Sequence, residues 1–448
     1  MTLIVSMLAT SCTSELVTNF DEPQVADDIP ETYKVSIDEA KETLNNFFAS
    51  LADNAQSYSG DNNSQINWNR KIKNVEAIGV NNEVKTYASD NGIDVSIDTF
   101  MYAINFENDE GFALMASDKR TDPIIAIIDD GSFSMSDIDN IDNPGFFICM
   151  ENAIVKQLND IQEYSETKDV NPQTYVSGTI TKQVYPRLSV KWNQDYPYNK
   201  YCPSVAGIKT GNGKGYTGCT IVAVAQILSY FRPLNHDMWI YNNFTPGFTI
   251  LHWDKIIADS KVHNNKKTFG TLTDVYPEFE QSTNEVARLM RSLGQSLKAD
   301  YKSSGTAAYL DDAAKLISKA LLLSATSPCN YDGGKIVRAI EEGKLVMVTA
   351  YATKVTKFLS SNSYSDGHTW VIDGYIESKI NGKLAPPFVH CNFGWGGTCD
   401  GYYVDGSFDT GVGSVDRSID DNLNGSSKTR PEKLKFQYLR EVSFVGKR

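Results

Sequence analysis

Cys219 lies where a glycine-containing loop meets a long apolar run, a position that can activate a thiol. The run Cys219–Phe231 is followed by Pro233, so we predict a helix that begins at the cysteine. The unpaired N–H groups and the positive dipole end of a helix N-terminus favour a thiolate over a thiol, and Gly215 and Gly218 keep the approach open to a substrate. The same position also suits a packed, inert cysteine, and the motif alone leaves both interpretations open.

Two polar residues later in the chain could complete a nucleophilic site. His368 begins an apolar, strand-like run in the segment Gly-His-Thr-Trp-Val-Ile-Asp-Gly, and Asn392 ends another run that is followed by Phe-Gly-Trp-Gly-Gly. The order cysteine, histidine, asparagine, with the cysteine opening a helix, is that of papain-like thiol proteases. Their mechanism needs a thiolate, an imidazolium beside it and a side-chain amide oxygen that holds the ring. An isolated histidine of this kind could instead be a packed residue at a strand edge.

Gln194 lies upstream of the cysteine, in the segment Val-Lys-Trp-Asn-Gln-Asp-Tyr-Pro-Tyr-Asn. A glutamine side chain can donate an amide N–H to a developing oxyanion, together with the backbone N–H of Cys219. By itself Gln194 would be an ordinary loop glutamine. Its place as a fourth member of the ordered set makes it a candidate oxyanion donor.

The composition is that of a folded, water-soluble protein. The 448 residues include 42 Lys and Arg against 56 Asp and Glu, a net charge of −14, and they carry 23 Tyr, 20 Phe and 6 Trp. This aromatic content argues against disorder, and the acidic balance without a basic cluster argues against nucleic acid as a partner. The longest uncharged apolar run, residues 1–14, is too short to span a bilayer.

The first residues resemble the end of a bacterial lipoprotein signal, because an apolar stretch runs into small residues and Cys12 and then becomes polar. We therefore expect export, as a secreted protein or as a lipoprotein of the outer surface or periplasm, with membrane attachment only through a lipid on Cys12. A plain N-terminal tail with an incidental cysteine is the alternative. The seven cysteines lack the Cys/His spacing of a zinc site, so we expect neither a metal nor an organic cofactor. Cys391 and Cys399 could form a disulfide, which the sequence does not decide.

The residue pattern predicts four segments. Residues 1–29 are the signal-type segment and a tether, and residues 30–165 form a small α+β unit whose first helix starts at a capping box, Ser36–Glu39. The polar stretch 166–185 is predicted to be an exposed linker. Residues 186–448 are predicted to be a helical lobe followed by an antiparallel sheet.

Within this last segment, a second capping box is predicted at Ser282–Glu285. The runs predicted to be strands are Leu345–Tyr351, Thr369–Glu377, Pro387–Asn392, Gly401–Val404 and Phe436–Val445, with a hairpin turn at Asn381-Gly382.

Four ordered motifs resemble the streptopain family of bacterial cysteine peptidases. They are Trp-Asn-Gln194-x-x-Pro-Tyr-Asn, Gly-Cys219-x-x-x-x-x-Ala225-Gln-Ile, Gly-His368-x-x-Val-Ile-Asp-Gly, and Asn392-x-Gly-Trp395-Gly-Gly. The block from Gly111 to Phe133 resembles the propeptide of that family, so the resemblance covers residues 30–445.

The resemblance implies a secreted zymogen of the α+β class. A papain-like catalytic domain, with a helical lobe and an antiparallel β lobe, would follow a pro-domain that acts as an intramolecular inhibitor. Polypeptides would be the substrates, and the maturation cut would lie within 166–185.

The resemblance also implies a role for each matched position. Cys219 would be the nucleophile and His368 the base. Gln194 would donate to the oxyanion and Asn392 would orient the histidine. Trp395 would form a wall of the active site.

Phe393 is a departure from the family, which usually has tryptophan after the asparagine. Phenylalanine keeps a flat apolar wall but lacks the indole N–H, which puts the shielding of a bond between His368 and Asn392 in question. The neighbours His390 and Cys391 point to opposite faces of the predicted strand, and we interpret both as structural.

Other functions remain open from the sequence. The same cysteine and histidine could transfer the acyl group to an amine, as transglutaminases do, which amine incorporation without net cleavage would show. The chain could also be an inactive, lipid-anchored binding or adhesion protein on a peptidase fold. Residues 30–165 could inhibit partner proteases, and their expression alone would test that. The glycine- and serine-rich segment 411–427 is either a loop that borders the cleft or a plain surface loop.

Overall fold

The computed structural model describes most of the chain. The described residues are 33–55, 66–79, 85, 88–89, 92–95, 98–136, 143–167, 175–208, 210–233, 237–242, 245–265, 280–353, 367–405 and 437–448. Cys12 and the segment 411–427, both singled out by the sequence, lie outside these residues.

Two long helices and a four-stranded antiparallel meander lie among the described residues of the N-terminal part. In chain order the elements are α1 (Ile37–Ala55), β1 (Ile72–Ile78), β2 (Met101–Phe106), β3 (Phe112–Ala116), β4 (Ile124–Ile128) and α2 (Pro144–Thr167).

The later part begins with a strand and a helical lobe and ends in β structure. Its elements are β5 (Thr179–Val184), α3 (Cys219–Phe231), β6 (Asp237–Asn242), β7 (Thr245–Ile250), α4 (Trp253–Asn265), α5 (Glu280–Ser296), β8 (Asp300–Lys302), β9 (Gly305–Ala307), α6 (Leu310–Ala320), β10 (Leu323–Ala325), β11 (Cys329–Asn330), α7 (Gly333–Glu341), β12 (Leu345–Thr353), β13 (Gly367–Ile380), β14 (Lys383–Leu384), β15 (Phe388–Asn392), β16 (Gly401–Val404) and β17 (Gln437–Lys447).

Helix α1 begins as the sequence predicts. The backbone N–H of Ser36 donates to Oε2 of Glu39 at 2.9 Å, and the N–H of Glu39 donates back to Oγ of Ser36 at 3.2 Å, which is a capping box. All six residues of strand β2 are buried. Apolar side chains of α1 pack on one face of the meander and those of α2 pack on the other.

Both parts of the chain share one sheet. Among the described residues the strand order runs β1-β2-β3-β4-β16-β15-β13-β12-β17-β10, and the junction is the antiparallel pair of β4 and β16, with Ile128 opposite Gly401. A β-carbon at Gly401 would lie only 2.3 Å from the carbonyl oxygen of Ile127. The close approach of the two strands therefore requires glycine at this position.

The segment 166–185 is only partly the exposed linker that the sequence predicts. Helix α2 continues to Thr167, and Thr179–Val184 forms β5, which pairs with β13. Ile180 and Gln183 are buried, and the Ile180 carbonyl accepts a hydrogen bond from Nδ2 of Asn54 at 2.9 Å. The sequence of this strand is polar and has only two buried side chains, so it resembles a linker. The pairing with β13 is what makes the segment a strand. The domain boundaries and the maturation cut stay predictions.

The helical lobe packs against the sheet through a second core, in which α3 lies against β13. Helix α5 begins at Glu280, so the capping box predicted at Ser282–Glu285 is wrong. Glu285 instead accepts hydrogen bonds from the backbone N–H of His252 at 2.8 Å and from its ring, and Ser282 donates to Asp259. These partners are remote in sequence, which is why the local pattern is misleading.

The fold is α+β, as predicted, with a helical lobe and an antiparallel β lobe. Cys391 and Cys399 are both buried and free, so they do not form the disulfide that the sequence leaves open. Within the described ranges, each helix is too short or too polar to cross a bilayer.

Candidate active site

Cys219 is the first residue of α3, and the preceding loop presents it. The cap residue Gly218 has φ +100°, and a β-carbon there would lie 3.1 Å from the carbonyl oxygen of Thr306. The loop is tied to the segment that carries Gln194, because the N–H of Thr217 donates to the Gln194 carbonyl at 2.8 Å. The helix start and the predicted oxyanion donor therefore belong to one hydrogen-bonded loop system.

The structure brings Cys219 and His368 into hydrogen-bonding contact across the two lobes. Burial alone would raise the pKa of the Cys219 thiol. The hydrogen bond and the charge of His368, together with the hydrogen bonds of Thr369, outweigh burial and lower the pKa to about 7. A thiol with this pKa is about half ionised at neutral pH, which is the property of a nucleophilic cysteine.

The other ring nitrogen of His368 is held by the main chain. Nε2 lies 2.9 Å from the carbonyl oxygen of Phe393. A carbonyl oxygen only accepts, so Nε2 must carry a proton. Nδ1 is therefore the ring nitrogen that can accept a proton when the ring is neutral.

The side chain of Asn392, which the sequence predicts to orient His368, bonds to Gln226 and to two backbone groups in the structure, and the orienting role stays a prediction. Its Oδ1 accepts hydrogen bonds from Nε2 of Gln226 at 3.0 Å and from the N–H of Gly394 at 3.1 Å, and its Nδ2 donates to the Val190 carbonyl at 3.0 Å. These bonds tie the end of β15 to α3. The next residue in the chain, Phe393, supplies the acceptor for the histidine from its backbone, so the indole that it lacks is not needed for that bond.

The remaining predicted site residues lie close to this pair. The Trp395 ring is 5.6 Å from the His368 ring, centroid to centroid and edge to face, so it forms a wall beside the histidine. The Gln194 side chain is buried in the loop that is bonded to Thr217. Gly218 precedes the nucleophile directly. The catalytic and substrate-binding roles of all of them stay predictions.

A threonine cluster behind the cysteine is the part of the site that sequence reasoning missed. Oγ1 of Thr369 lies 3.0 Å from Oγ1 of Thr220 and 2.7 Å from Oγ1 of Thr349, and Thr220 also donates to the Ala308 carbonyl at 2.8 Å. These hydroxyls join α3 to β12 and β13 directly beside the thiol. Thr220 and Thr369 follow Cys219 and His368 directly in the sequence, but Thr349 does not, so adjacency to the two site residues does not reveal this cluster.

The start of α2 packs against the ring of His368. A β-carbon at Gly145 would be 2.3 Å from Cδ1 of Phe393 and 3.0 Å from Cδ2 of His368. Asn143 caps the helix by accepting from the N–H of Phe146 at 3.2 Å, and its Nδ2 donates to the Thr398 carbonyl at 2.6 Å. The N-terminal part of the chain therefore occupies space next to the ring of His368.

A buried charged cluster joins the same two parts of the chain. Nδ1 of His390 lies 2.5 Å from Asp373, and Nε2 lies 3.0 Å from Asp129, which directly follows β4. Burial alone would lower the pKa of His390, but the two carboxylates outweigh burial and raise the pKa to about 10. His390 is thus a structural cation, consistent with its interpretation from the sequence. Within the described residues, no group of three His, Cys, Asp or Glu side chains could hold a metal ion.

Comparisons with known proteins identify the class of enzyme. Residues 192–403 match the model of the peptidase C10 family. Streptopain of Streptococcus pyogenes serotype M1 is 25% identical over 323 residues, which cover 68% of this chain and 73% of streptopain, and streptopain of serotype M28 gives the same values. This chain is a cysteine peptidase that is similar to streptopain.

Two solved structures from Prevotella intermedia are also similar to the peptidase. A fragment of prointerpain A is 21% identical and has a TM-score of 0.45, with 68% of this chain and 88% of that chain covered. The active wild-type cysteine protease interpain A is 22% identical and has a TM-score of 0.35, with 59% of this chain and 94% of that chain covered.

The pKa of Cys219 predicts how the peptidase reacts with an alkylating agent. The rate at which iodoacetamide modifies Cys219 should rise with pH around a midpoint near 7. In a His368→Ala chain the hydrogen bond and charge that lower the pKa are lost while burial remains, so the midpoint should move upward by about one unit or more. Mass mapping of the modified peptide separates Cys219 from the other cysteines. An unchanged midpoint in the His368→Ala chain would contradict this assignment.

Proposed function

We propose that the peptidase is an endopeptidase that cleaves peptide bonds through a thioester on Cys219, with His368 as base and acid. The observation that carries this proposal is the pair formed by Cys219, at the start of α3, and His368, on β13. The histidine lowers the pKa of the thiol to about 7. The second nitrogen of the histidine is already fixed by the Phe393 carbonyl.

The geometry supports the following sequence of proton transfers. Nδ1 of His368 takes the proton of Cys219, and the thiolate sulfur attacks the carbonyl carbon of the scissile bond. The oxyanion accepts hydrogen bonds from the Cys219 N–H and, in this proposal, from the side-chain amide of Gln194. Nδ1–H then protonates the leaving amine, and the thioester remains on Cys219. Water gives a proton to Nδ1 and adds to the thioester, which releases the acid and restores the thiol.

The Cys219→Ala chain should neither cleave casein nor trim itself within 166–185, while the native chain should do both under reducing conditions. The loss should exceed about a thousandfold, because the nucleophile itself is removed. Cys329→Ala is the matched control, since Cys329 is an exposed free cysteine that should leave both activities intact. Casein cleavage by the Cys219→Ala chain would contradict the assignment. Amine incorporation without net cleavage by the native chain would point to acyl transfer.

We further propose that residues 33–167 keep the enzyme latent until the chain is cut within 166–185. The support is steric and polar. Gly145 packs against the ring of His368, Asn143 anchors the same helix start to the Thr398 carbonyl, and Asp129 forms an ion pair with His390. In this arrangement the N-terminal segment restricts the histidine, and its departure would free the ring.

Latency predicts a lag before casein hydrolysis, which Asn143→Ala should shorten. This substitution removes a helix cap that is worth about 1 kcal/mol and also the bond to Thr398, so the start of α2 should leave His368 more readily. Self-trimming and hydrolysis are followed together by mass and by casein release. Ser132→Ala is the control, because the Ser132 hydroxyl lies on the exposed surface, where it donates to Asp109. A lag equal to that of the control would contradict the proposed restraint.

We also propose that the enzyme is exported and can be lipidated on Cys12, on the support of the apolar stretch and small residues before that cysteine. Bacteria expressing the chain should incorporate radioactive palmitate into it, and a Cys12→Ser chain should remain unlabelled. An unlabelled native chain would contradict lipidation.

A further inference from the structure

Asp400 is a buried carboxylate that the proposed mechanism does not use. It is 1% exposed and immediately precedes β16. Its Oδ1 accepts a hydrogen bond from the N–H of Phe393 at 2.9 Å, while its Oδ2 is buried without a hydrogen-bond partner among the described residues. Its backbone is fixed as well, since its N–H donates to the Gly397 carbonyl at 3.2 Å and its carbonyl accepts from the N–H of Asp129 at 2.9 Å.

Phe393 connects this carboxylate to the catalytic histidine. Its N–H is bonded to Asp400, and its C=O is bonded to Nε2 of His368 at 2.9 Å. The two groups lie on either side of one Cα, so the two soft backbone dihedrals of Phe393 set the direction of the carbonyl relative to the N–H. A carboxylate that fixes the N–H from a rigid turn therefore limits how far the carbonyl can swing.

The surroundings of Asp400 make this hydrogen bond important to the turn. Burial is the largest influence on the pKa of Asp400 and raises it, and Asp129 raises it as well. Lys191, the Phe393 N–H and His390 lower it, and the resulting pKa is about 7. The thiols of Cys391 and Cys399 and the phenol of Tyr403 also interact electrostatically with it. A buried carboxylate with one unpartnered oxygen is costly. Among the described residues, the hydrogen bond that the Asp400 side chain accepts from the Phe393 N–H offsets part of this cost.

We propose that Asp400 is a positioning residue for the peptidase reaction. Through the backbone of Phe393 it fixes the carbonyl that holds Nε2 of His368, and thereby the placement of Nδ1 against the thiol of Cys219. This inference rests on the proposed roles of Cys219 and His368.

The test compares the pH dependence of Cys219 alkylation in the full-length chain and three variants. Asp400→Asn keeps an oxygen that can accept from the Phe393 N–H, whereas Asp400→Leu has a similar size and no acceptor. Asp405→Leu is the matched control, because Asp405 is also buried, lies at the other end of β16 and bonds to Tyr331 instead. Circular dichroism and thermal unfolding show which variants fold. Iodoacetamide is the probe, with mass mapping of the Cys219 peptide.

We expect the asparagine variant to keep the midpoint of the native chain. The leucine variant should raise the midpoint by about one unit, with an alkylation rate at neutral pH that is lower by roughly fivefold. The Asp405→Leu variant should not shift it. These outcomes together would show that the acceptor acts on the histidine, because a purely structural defect would lower stability without moving the midpoint.

Two results would overturn the inference: a folded leucine variant with an unshifted midpoint, or an asparagine variant shifted as far as the leucine variant. If the leucine variant does not fold, Asp400→Ala, whose smaller side chain leaves space for water, carries the same expectation. The proposed roles of Cys219 and His368 and the proposed role of Asp400 can fail separately. A native chain without a midpoint near 7 would contradict the Cys219–His368 assignment itself, whereas a native midpoint near 7 with an unshifted Asp400→Leu would contradict Asp400 alone.

Discussion

The hydrogen bond between Nε2 of His368 and the Phe393 carbonyl is the contact on which the rest of the site depends. It determines that Nε2 carries a proton, and so leaves Nδ1 as the nitrogen that would exchange a proton with the Cys219 thiol in the proposed reaction. The acceptor is a backbone group, whose direction is set by the turn after β15. That turn is held to the helix that begins with Cys219, because Asn392 at its start bonds to Gln226 of α3. The asparagine thus contributes to the geometry of the site by fixing the main chain.

The continuous sheet explains how an N-terminal segment can influence a histidine that lies far along the chain. Strand β4 pairs with β16, and Asp129, the residue after β4, reaches both His390 and the backbone of Asp400. Helix α2 then starts against the ring of His368, at a position where only glycine fits. Because the same strands carry the core and the contacts to the site, release of the N-terminal segment must break a pair of strands as well as a buried ion pair.

The local patterns of the sequence predict much of this architecture. The helix that begins at Cys219, the capping box of α1, the strand Gly401–Val404 and the α+β class all follow from periodicity and caps, because their determinants are close in sequence. The types and the order of the residues are enough to predict a site in which a cysteine and a histidine come from two lobes. The order of residues does not show that the histidine bonds to a backbone carbonyl, since every residue has one.

The features that the sequence does not predict depend on contacts between distant residues. Strand β5 has a polar sequence and is defined by its pairing with β13, and Glu285 is occupied by His252 instead of capping a helix. Asp400 has no local signature either, because a carboxylate in a glycine-rich turn is usually exposed. Its burial is a consequence of the shared sheet.

The central claim is that Cys219 and His368 form the reacting pair, and trapping the nucleophile tests it most directly. An epoxysuccinyl peptide, which resembles a substrate and reacts with activated thiolates, is incubated with the native chain and with the His368→Ala chain, and the adducts are mapped by mass. The account predicts one adduct on the Cys219 peptide of the native chain, which is lost in the His368→Ala chain. An adduct on another cysteine, or equal labelling of Cys219 without His368, would contradict it.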